Sequence, residues 1–395
     1  MLGLTCIPEK VYDFLYRFKR HFRCAQARHF VLFCWILVML LVDGNKGTLK
    51  QLSRLMPERI RYWALMRMLR SGYWNEKALL RDVSSEVLLG CLPPPEDGIL
   101  HLIGDSTLKG KRGEKHPLGH KTRMNAYSHY YYGFEMVLLI ASWDHYRVPV
   151  AIQAMDPHRK GQQNIIFRRM LREFAVPGWA KEVVVEADAG FAANKTIRLI
   201  QKKGYSFVFA VTRTRTFADG KHLNDLVYHL PKSCYRRMKI SKPDGRRRDY
   251  WVYEKSANLK GIGDVTIMLS KQRRNDGPKK VKIIVTNLRQ ASASRILSYY
   301  ARRWGIEVTI KELKGGLHLG RMQVTKEKER VQKSVALSVL AYLLVLRLYG
   351  AEADNAQEVS LFRLKQRFTA DLFQEHAIRT ERKWKQKLDK LRLAA

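Results

Sequence analysis

Cysteine is scarce in this chain of 395 residues, which contains five. No two of them are separated by the two residues typical of zinc-binding and redox motifs, and an odd number cannot pair completely. The pattern argues against a disulfide framework and a zinc knuckle, and it predicts reduced thiols in a cytosolic protein. The cysteines are Cys6, Cys24, Cys34, Cys91 and Cys234.

The sequence also lacks an apolar run of the roughly 20 residues that a membrane-spanning helix needs. The two longest runs, residues 30–42 and 335–346, are shorter than that. A basic stretch precedes the first run, but no small-residue cleavage site follows it, so a secretory signal is not indicated. Both runs predict buried core helices, and we expect no membrane partner.

Acidic residues are few, since 36 aspartates and glutamates oppose 73 lysines and arginines and leave a net charge of +37. A chain this basic repels itself unless it binds a polyanion. Nucleic acid is the favoured partner, because each phosphate contacted by Lys or Arg releases counterions, and an anionic membrane surface is the alternative. The apolar content of 46% predicts a globular protein, and the length of 395 residues is enough for two or three domains.

The first 95 residues predict an all-helical domain that binds DNA. Within it, residues 48–75 predict two short amphipathic helices, with arginines and aromatic residues on the second. Two interpretations remain open: a helix-turn-helix-like module that places a helix on DNA, or a helical bundle with a solvated basic face. The prolines at positions 93–95 end the helical region, because proline cannot continue a helix.

After the prolines, strands alternate with helices, which predicts an α/β domain with a mixed sheet and helices on its faces. This domain takes up residues 96–211 and 281–350. Residues 212–280 contain turn motifs and basic clusters between short β segments, so we interpret them as a β-rich insertion. Residues 351–395 predict a basic helical tail.

Two aspartates follow apolar strands of the predicted sheet. Asp105 is expected to end the first strand, before a basic loop that offers Lys109, Lys111 and Arg112 to DNA phosphates. An aspartate before Ser-Thr also caps turns, which is the plainer interpretation of Asp105 alone. Asp188 follows a valine-rich strand; Glu186 shares its face of that strand but lies deeper in the apolar run.

A third acidic residue lies on a long helix predicted over residues 292–315. Five side chains of this helix are spaced 3, 4, 4 and 3 residues apart and fall within an arc of about 80°. Trp304 flanks the arc, whereas Glu312 points more than about 90° away, which favours Glu307 as the functional acid. A row of salt bridges on a solvated helix is the alternative. The five residues are Tyr300, Arg303, Glu307, Lys311 and Lys314.

The pattern Tyr300-x2-Arg303-x3-Glu307-x6-Lys314 resembles the motif of DDE transposases of the bacterial insertion-sequence-four group. Asp105 and Asp188 resemble the first and second acids of that family, and the β-rich segment resembles its insertion. The resemblance covers residues 98–349 and implies an RNase H-like mixed sheet with flanking helices, interrupted by the insertion.

The resemblance implies that Asp105, Asp188 and Glu307 hold two Mg²⁺ ions, which Mn²⁺ can replace. One ion would activate a nucleophilic oxygen and the other would stabilise the leaving oxygen. Arg303 and Lys314 would bind backbone phosphates, and Tyr300 would donate a hydrogen bond to one. Trp304, or Trp251 in the insertion, would stack on a flipped base. Lys311 completes the DNA-binding set.

The family further implies cut-and-paste transposition by a homodimer that holds both terminal inverted repeats of its element in a synaptic complex. A DNA hairpin would form before the element joins target DNA, and no small-molecule substrate is expected. The protein would be cytoplasmic and nucleoid-associated in a bacterium. Two alternatives remain: a DNA-binding relative that cuts nothing, and an RNase H-like nuclease that does not rejoin strands.

Overall fold

The helical amino-terminal part precedes a large sheet in the computed structural model. The residues described are 7–22, 27–42, 47–57, 60–70, 74–111, 115–123, 130–241, 247–288, 290–322, 327–355 and 357–394. Before the first strand they form α1 (Glu9–Tyr16), α2 (Ala27–Leu41), α3 (Leu49–Leu55), α4 (Tyr62–Met68) and α5 (Glu76–Gly90). The two short helices predicted between residues 48 and 75 are α3 and α4. Thr48 begins α3 by accepting a hydrogen bond from the Gln51 N–H at 3.3 Å.

Both long apolar runs are buried inside the protein, as predicted. The first forms most of α2, whose side chains from Leu32 to Leu41 are at most 2% exposed. The second lies in α11 (Lys328–Tyr349). The helical segment Lys328–Glu352 is long and apolar enough to cross a membrane, but 83% of its most apolar window is buried, and this burial is what a core helix requires.

Ten strands form one mixed sheet in the order β2-β3-β1-β5-β6-β10-β9-β8-β7, and β4 also pairs with β3. Strand β1 runs antiparallel to β3 and parallel to β5, which is in turn parallel to β6. The order β4-β3-β1-β5-β6 is that of an RNase H-like sheet, so the predicted fold class is confirmed. The strands are β1 (Ile99–Gly110), β2 (His120–Arg123), β3 (Tyr130–Trp143), β4 (Tyr146–Ala154), β5 (Glu182–Ala187), β6 (Ser206–Ala210), β7 (Arg236–Ser241), β8 (Arg247–Leu259), β9 (Gly263–Lys271) and β10 (Lys282–Thr286).

The segment interpreted as an insertion continues the main sheet. It contributes β7, β8 and β9, and β9 pairs antiparallel with β10. It also contains α8 (Leu223–His229), which the sequence analysis did not predict. The division of the chain into domains stays a prediction, but these three strands share hydrogen bonds with the sheet rather than forming one of their own.

Helices cover both faces of the sheet. On one face, α6 (Gln162–Glu173) and α7 (Asn194–Lys202) pack against the strands. Gly104 allows this packing, because a Cβ there would lie 2.2 Å from the Phe167 ring. On the other face, α9 (Ala293–Arg302) buries Ile296 and Leu297 in one cluster with Val184. The remaining helices are α10 (Trp304–Gly316) and α12 (Leu361–Ala394).

Two sequence predictions about elements near the acids are wrong. Asp105 does not end its strand: β1 continues to Gly110 because it stays hydrogen-bonded to β3 after its parallel partner β5 has ended. The helix predicted over residues 292–315 is interrupted at Arg303, which divides it into α9 and α10. At the junction the Ile306 N–H bonds to the Arg303 carbonyl, three residues back, so the regular spacing of four is lost there.

Candidate active site

The two aspartates stand side by side because β1 and β5 are parallel neighbours. Gly104 pairs with Ala187, the last residue of β5, and each aspartate comes directly after one member of that pair. The Asp188 carboxylate accepts a hydrogen bond from the Gly190 N–H at 2.8 Å and so begins the turn after the strand. Asp105 accepts one from the Ser106 N–H at 2.7 Å. Both carboxylates are thereby held at the end of the β1–β5 pairing.

Arg303 joins the helical acid to the first strand. One guanidinium nitrogen lies 3.4 Å from Asp105 Oδ2, and another donates a hydrogen bond to Glu307. The side chains of Arg303 and Asp105 are each 15% exposed. Arg303 Nε is buried and has no hydrogen-bond partner among the described residues. A single cation thus lies between two of the three predicted acids.

The pKa of Asp105 is affected by the other two predicted acids. Burial raises its pKa to about 6, and repulsion from Asp188 and Glu307 adds to the rise. The Ser106 hydrogen bond and the positive charge of Arg303 act in the opposite direction. The charges of Asp188 and Glu307 thus both act on Asp105, and added positive charge beside Asp105 would offset their repulsion.

The donor chemistry of the cluster fits a hard divalent cation. Carboxylate oxygens are the ligands that Mg²⁺ and Mn²⁺ prefer, and the repulsion that Asp188 and Glu307 exert on Asp105 favours a cation beside it. Within the part of the chain that the structure describes, no three His, Cys, Asp or Glu side chains stand close enough together to hold a metal ion. The guanidinium of Arg303 lies between Asp105 and Glu307 in this arrangement.

The competing acids Glu186 and Glu312 have structural partners. Glu186 is fully buried, and its carboxylate lies 2.6 Å from His101 Nδ1. Glu312 is also buried and accepts hydrogen bonds from Tyr342 and from the backbone of Leu361. Neither carboxylate is available to an outside ligand in this arrangement. The choice of Asp188 and Glu307 over these two acids stays a prediction.

The predicted DNA-binding cations differ in how they are held. Lys111 donates hydrogen bonds to the carbonyls of Gly320 at 2.7 Å and Met322 at 3.2 Å, so its ammonium points into the protein. Lys314 donates to the Leu108 carbonyl at 2.7 Å. Burial lowers the pKa of each lysine to about 8, and the charge of Lys109 contributes.

The other predicted DNA contacts range from half-buried to exposed. Lys109, on β1, is half-buried, whereas Lys311 is exposed on α10. Trp304, also on α10, is 64% exposed. The half-buried Tyr300 ring lies 5.0 Å from Lys282 Nζ and 5.8 Å from the Arg303 guanidinium. Arg112 lies outside the described residues.

Two residues that support the site were not found from the sequence. Asn164 donates a hydrogen bond from its side chain to the Gly190 carbonyl at 2.8 Å and so fixes the turn after Asp188. Lys282, on β10, brings a second cation to the Tyr300 ring. Neither lies in a motif, and each contact joins two different elements of the fold.

Comparisons with known proteins give one family match and a distant structural likeness. Residues 98–344, more than half of the chain, match the family described as the transposase DDE domain. No curated protein matches the sequence at a significant level. Among solved structures, the chain is similar to a piggyBac transposase in a synaptic complex with hairpin DNA, with 11% identity and a TM-score of 0.47 over 95% of this chain and 80% of that one.

Proposed function

Because the chain belongs to the transposase DDE domain family, we propose that it is a DNA transposase of the insertion-sequence-four group. It would cut its element at the terminal inverted repeats and join it to target DNA, with a hairpin at each element end as an intermediate. The observation that carries the proposal is the pairing of β1 with β5, which places Asp105 beside Asp188, together with the contacts of Arg303 with Asp105 and Glu307.

Asp105, Asp188 and Glu307 would hold two Mg²⁺ ions, or Mn²⁺ in their place. When bound, such ions supply activation of the attacking oxygen and stabilisation of the leaving oxygen in phosphoryl transfer. Their charge would also replace that of Arg303 between the acids. Arg303 would then be free to bind a DNA phosphate, since a guanidinium recognises carboxylates and phosphates by the same paired hydrogen bonds.

The surface of α10 supports a role in holding DNA. Lys311 is exposed for a phosphate, and the exposed Trp304 ring can stack on an unpaired base. The net charge of +37 favours double-stranded DNA as the partner. We further propose a homodimer in the synaptic complex, because two element ends must be cut and joined together, and a cytoplasmic location at the bacterial nucleoid.

A nicking assay on DNA taken from the edges of the element tests the proposal. The wild-type protein with Mg²⁺ should nick this DNA and join it to a target. Asp105→Asn, Asp188→Asn and Glu307→Gln should each abolish nicking while DNA affinity stays within a few-fold. Glu352→Gln, which changes an acid whose side chain is 60% exposed, is the matched control and should cut normally. Wild-type binding without cutting would indicate an inactive relative, and cutting without joining would indicate a nuclease.

A further inference from the structure

The helix that carries Glu307 is weak by its own sequence. It has 13 residues, and Gly305, Gly315 and Gly316 lie in its first and last turns. Helices this short are marginal in water, and glycine lowers their stability further. Its position over the sheet must therefore come from contacts with other elements.

Polar contacts hold α10 to β1 on the side of the acids. Arg303, at its start, contacts Asp105, and Lys314, in its last turn, donates to the Leu108 carbonyl. These contacts use groups that are also proposed to bind cations or DNA. They would change when a substrate binds, so they cannot alone fix the position of the helix during the reaction.

Glu312 provides an anchor on the opposite side. Its side chain is 6% exposed, and its carboxylate has partners on three other elements. One oxygen accepts from the Leu361 N–H at the start of α12, at 3.1 Å. The other accepts from the Tyr342 hydroxyl on α11 at 3.3 Å and lies 3.5 Å from an Arg147 nitrogen on β4. Burying a carboxylate costs desolvation energy, and these three partners offset that cost.

The end of α10 is fixed by the same neighbouring helix. Lys365 of α12 is buried and donates a hydrogen bond to the Gly316 carbonyl at 2.8 Å. The absence of a side chain at Gly316 permits this approach, because a Cβ there would lie 2.8 Å from Leu361. Helix α12 therefore donates hydrogen bonds to α10 at two points, the Glu312 carboxylate and the Gly316 carbonyl.

We propose that Glu312 is a positioning residue for the reaction: it holds α10 so that Glu307, five residues earlier on the helix, reaches the two strand aspartates. The inference rests on the proposed function of those three acids. Glu312 itself touches neither DNA nor cation. Its loss would shift α10 and carry both Glu307 and the exposed Lys311 with it. The turnover rate should fall more than the affinity for DNA, because the reaction is sensitive to a displacement of about 1 Å, whereas a long exposed lysine side chain can still reach a phosphate after such a shift.

The test compares Glu312→Ala, Glu312→Gln and wild type in kcat and KM for nicking and in Mn²⁺ affinity measured by electron paramagnetic resonance. A displacement of about 1 Å can cost about 100-fold in rate. We expect Glu312→Ala to lower kcat by about 10- to 100-fold and to weaken Mn²⁺ binding, with KM within about threefold. Glu312→Gln, which keeps the shape and the acceptor for Leu361, should recover most of the loss.

Asp371→Asn is the matched control. Asp371 lies on α12, the helix whose Leu361 contacts Glu312. Like Glu312, it is an acid with several partners: it accepts hydrogen bonds from Lys10 at 2.6 Å and from Tyr349 at 2.8 Å. Asp371 and these two partners all lie outside α10, so the control should lower the melting temperature and leave kcat unchanged. Should Glu312→Ala not fold, Tyr342→Phe removes one donor to Glu312 without loss of packing and should still lower kcat a few-fold.

The possible outcomes distinguish failure of the positioning role of Glu312 from failure of the proposed function. A folded Glu312→Ala with wild-type kcat and Mn²⁺ affinity overturns the positioning role, as does an unfolded Glu312→Ala together with a fully active Tyr342→Phe. A loss of kcat equal to that of Asp371→Asn also overturns it, since general destabilisation would then suffice. If wild type neither nicks DNA nor binds Mn²⁺, the proposed function itself fails.

Discussion

A guanidinium nitrogen of Arg303 lies 3.4 Å from Asp105 Oδ2, where the junction of α9 and α10 meets the end of the β1–β5 pairing. The same side chain donates a hydrogen bond to Glu307. One fixed positive charge thus partly neutralises two acids that would otherwise repel each other. This relationship predicts how the site responds when that charge is removed.

Arg303→Met should tighten Mn²⁺ binding in the absence of DNA, by about tenfold. The substitution removes the guanidinium that competes with Mn²⁺ for the space between Asp105 and Glu307. A tenfold change in affinity corresponds to about 1.4 kcal/mol of binding free energy. Mn²⁺ titration followed by electron paramagnetic resonance measures it. Lys311→Met, which removes an exposed charge from the same helix, is the control and should leave the affinity unchanged. Equal affinity in wild type and Arg303→Met would contradict the competition.

Asp105→Asn should stabilise the metal-free protein at pH 7, by an amount on the order of 2 kcal/mol. The pKa of Asp105 is raised to about 6 by burial and by Asp188 and Glu307, against about 3.9 in an unfolded chain. The folded protein therefore binds the proton more tightly, and stability falls as the pH rises from about 4 to about 6. Urea unfolding in EDTA at pH 4 and pH 7 tests this, and the gain should vanish at pH 4.

Asp82→Asn is the control for that experiment and should have the opposite effect. Burial opposes the ionisation of Asp82, but hydrogen bonds from Arg20 and Arg81 lower its pKa below the usual range. Replacing it should therefore destabilise the protein at pH 7. A loss of stability in both variants would show that Asp105 is not under electrostatic strain.

Lys311 and Lys111 should affect DNA binding differently although both were predicted to contact DNA. Lys311 is exposed, whereas the Lys111 ammonium is held by the carbonyls of Gly320 and Met322. Lys311→Met should reduce the slope of log affinity against log salt by about one. Lys111→Met should leave that slope unchanged and lower the melting temperature. The reverse pattern would mean that Lys111 turns outward to bind a phosphate.

Trp304→Ala should impair the hairpin step without loss of stability. The ring is 64% exposed, so its removal should change the free energy of unfolding by less than about 0.5 kcal/mol. If Trp304 stacks on a flipped base, hairpin formation on pre-nicked DNA should slow by about 10-fold or more. Trp63→Ala, 70% exposed on α4, is the control. Normal hairpin formation by Trp304→Ala would exclude the stacking role of that residue.

The three acids could be proposed from the sequence because the patterns around them are local. Asp188 follows a valine-rich strand. The spacing from Tyr300 to Lys314 survives the break at Arg303, since the backbone there stays helical. The fold class was predicted from the alternation of strands and helices along the sequence. These are short-range patterns, which sequence carries well.

The features that could not be predicted depend on contacts between distant segments. The polar stretch after Asp105 remains a strand because β3 pairs with it, and its own sequence shows no strand pattern. The inward direction of Lys111 depends on carbonyls about 210 residues later in the chain. The angle of Glu312 on the helix showed that it points away from the acids, but its burial against α11 and α12 appears only in the fold.

The most direct test of the central claim is cleavage of the protein backbone by Fe²⁺ bound in place of Mg²⁺, with ascorbate and peroxide generating hydroxyl radicals at the ion. If Asp105, Asp188 and Glu307 surround one cation site, the chain should be cut near all three positions, and excess Mg²⁺ should suppress every cut together. Cuts that omit any one of the three segments, or that persist in Asp188→Asn, would contradict a shared site.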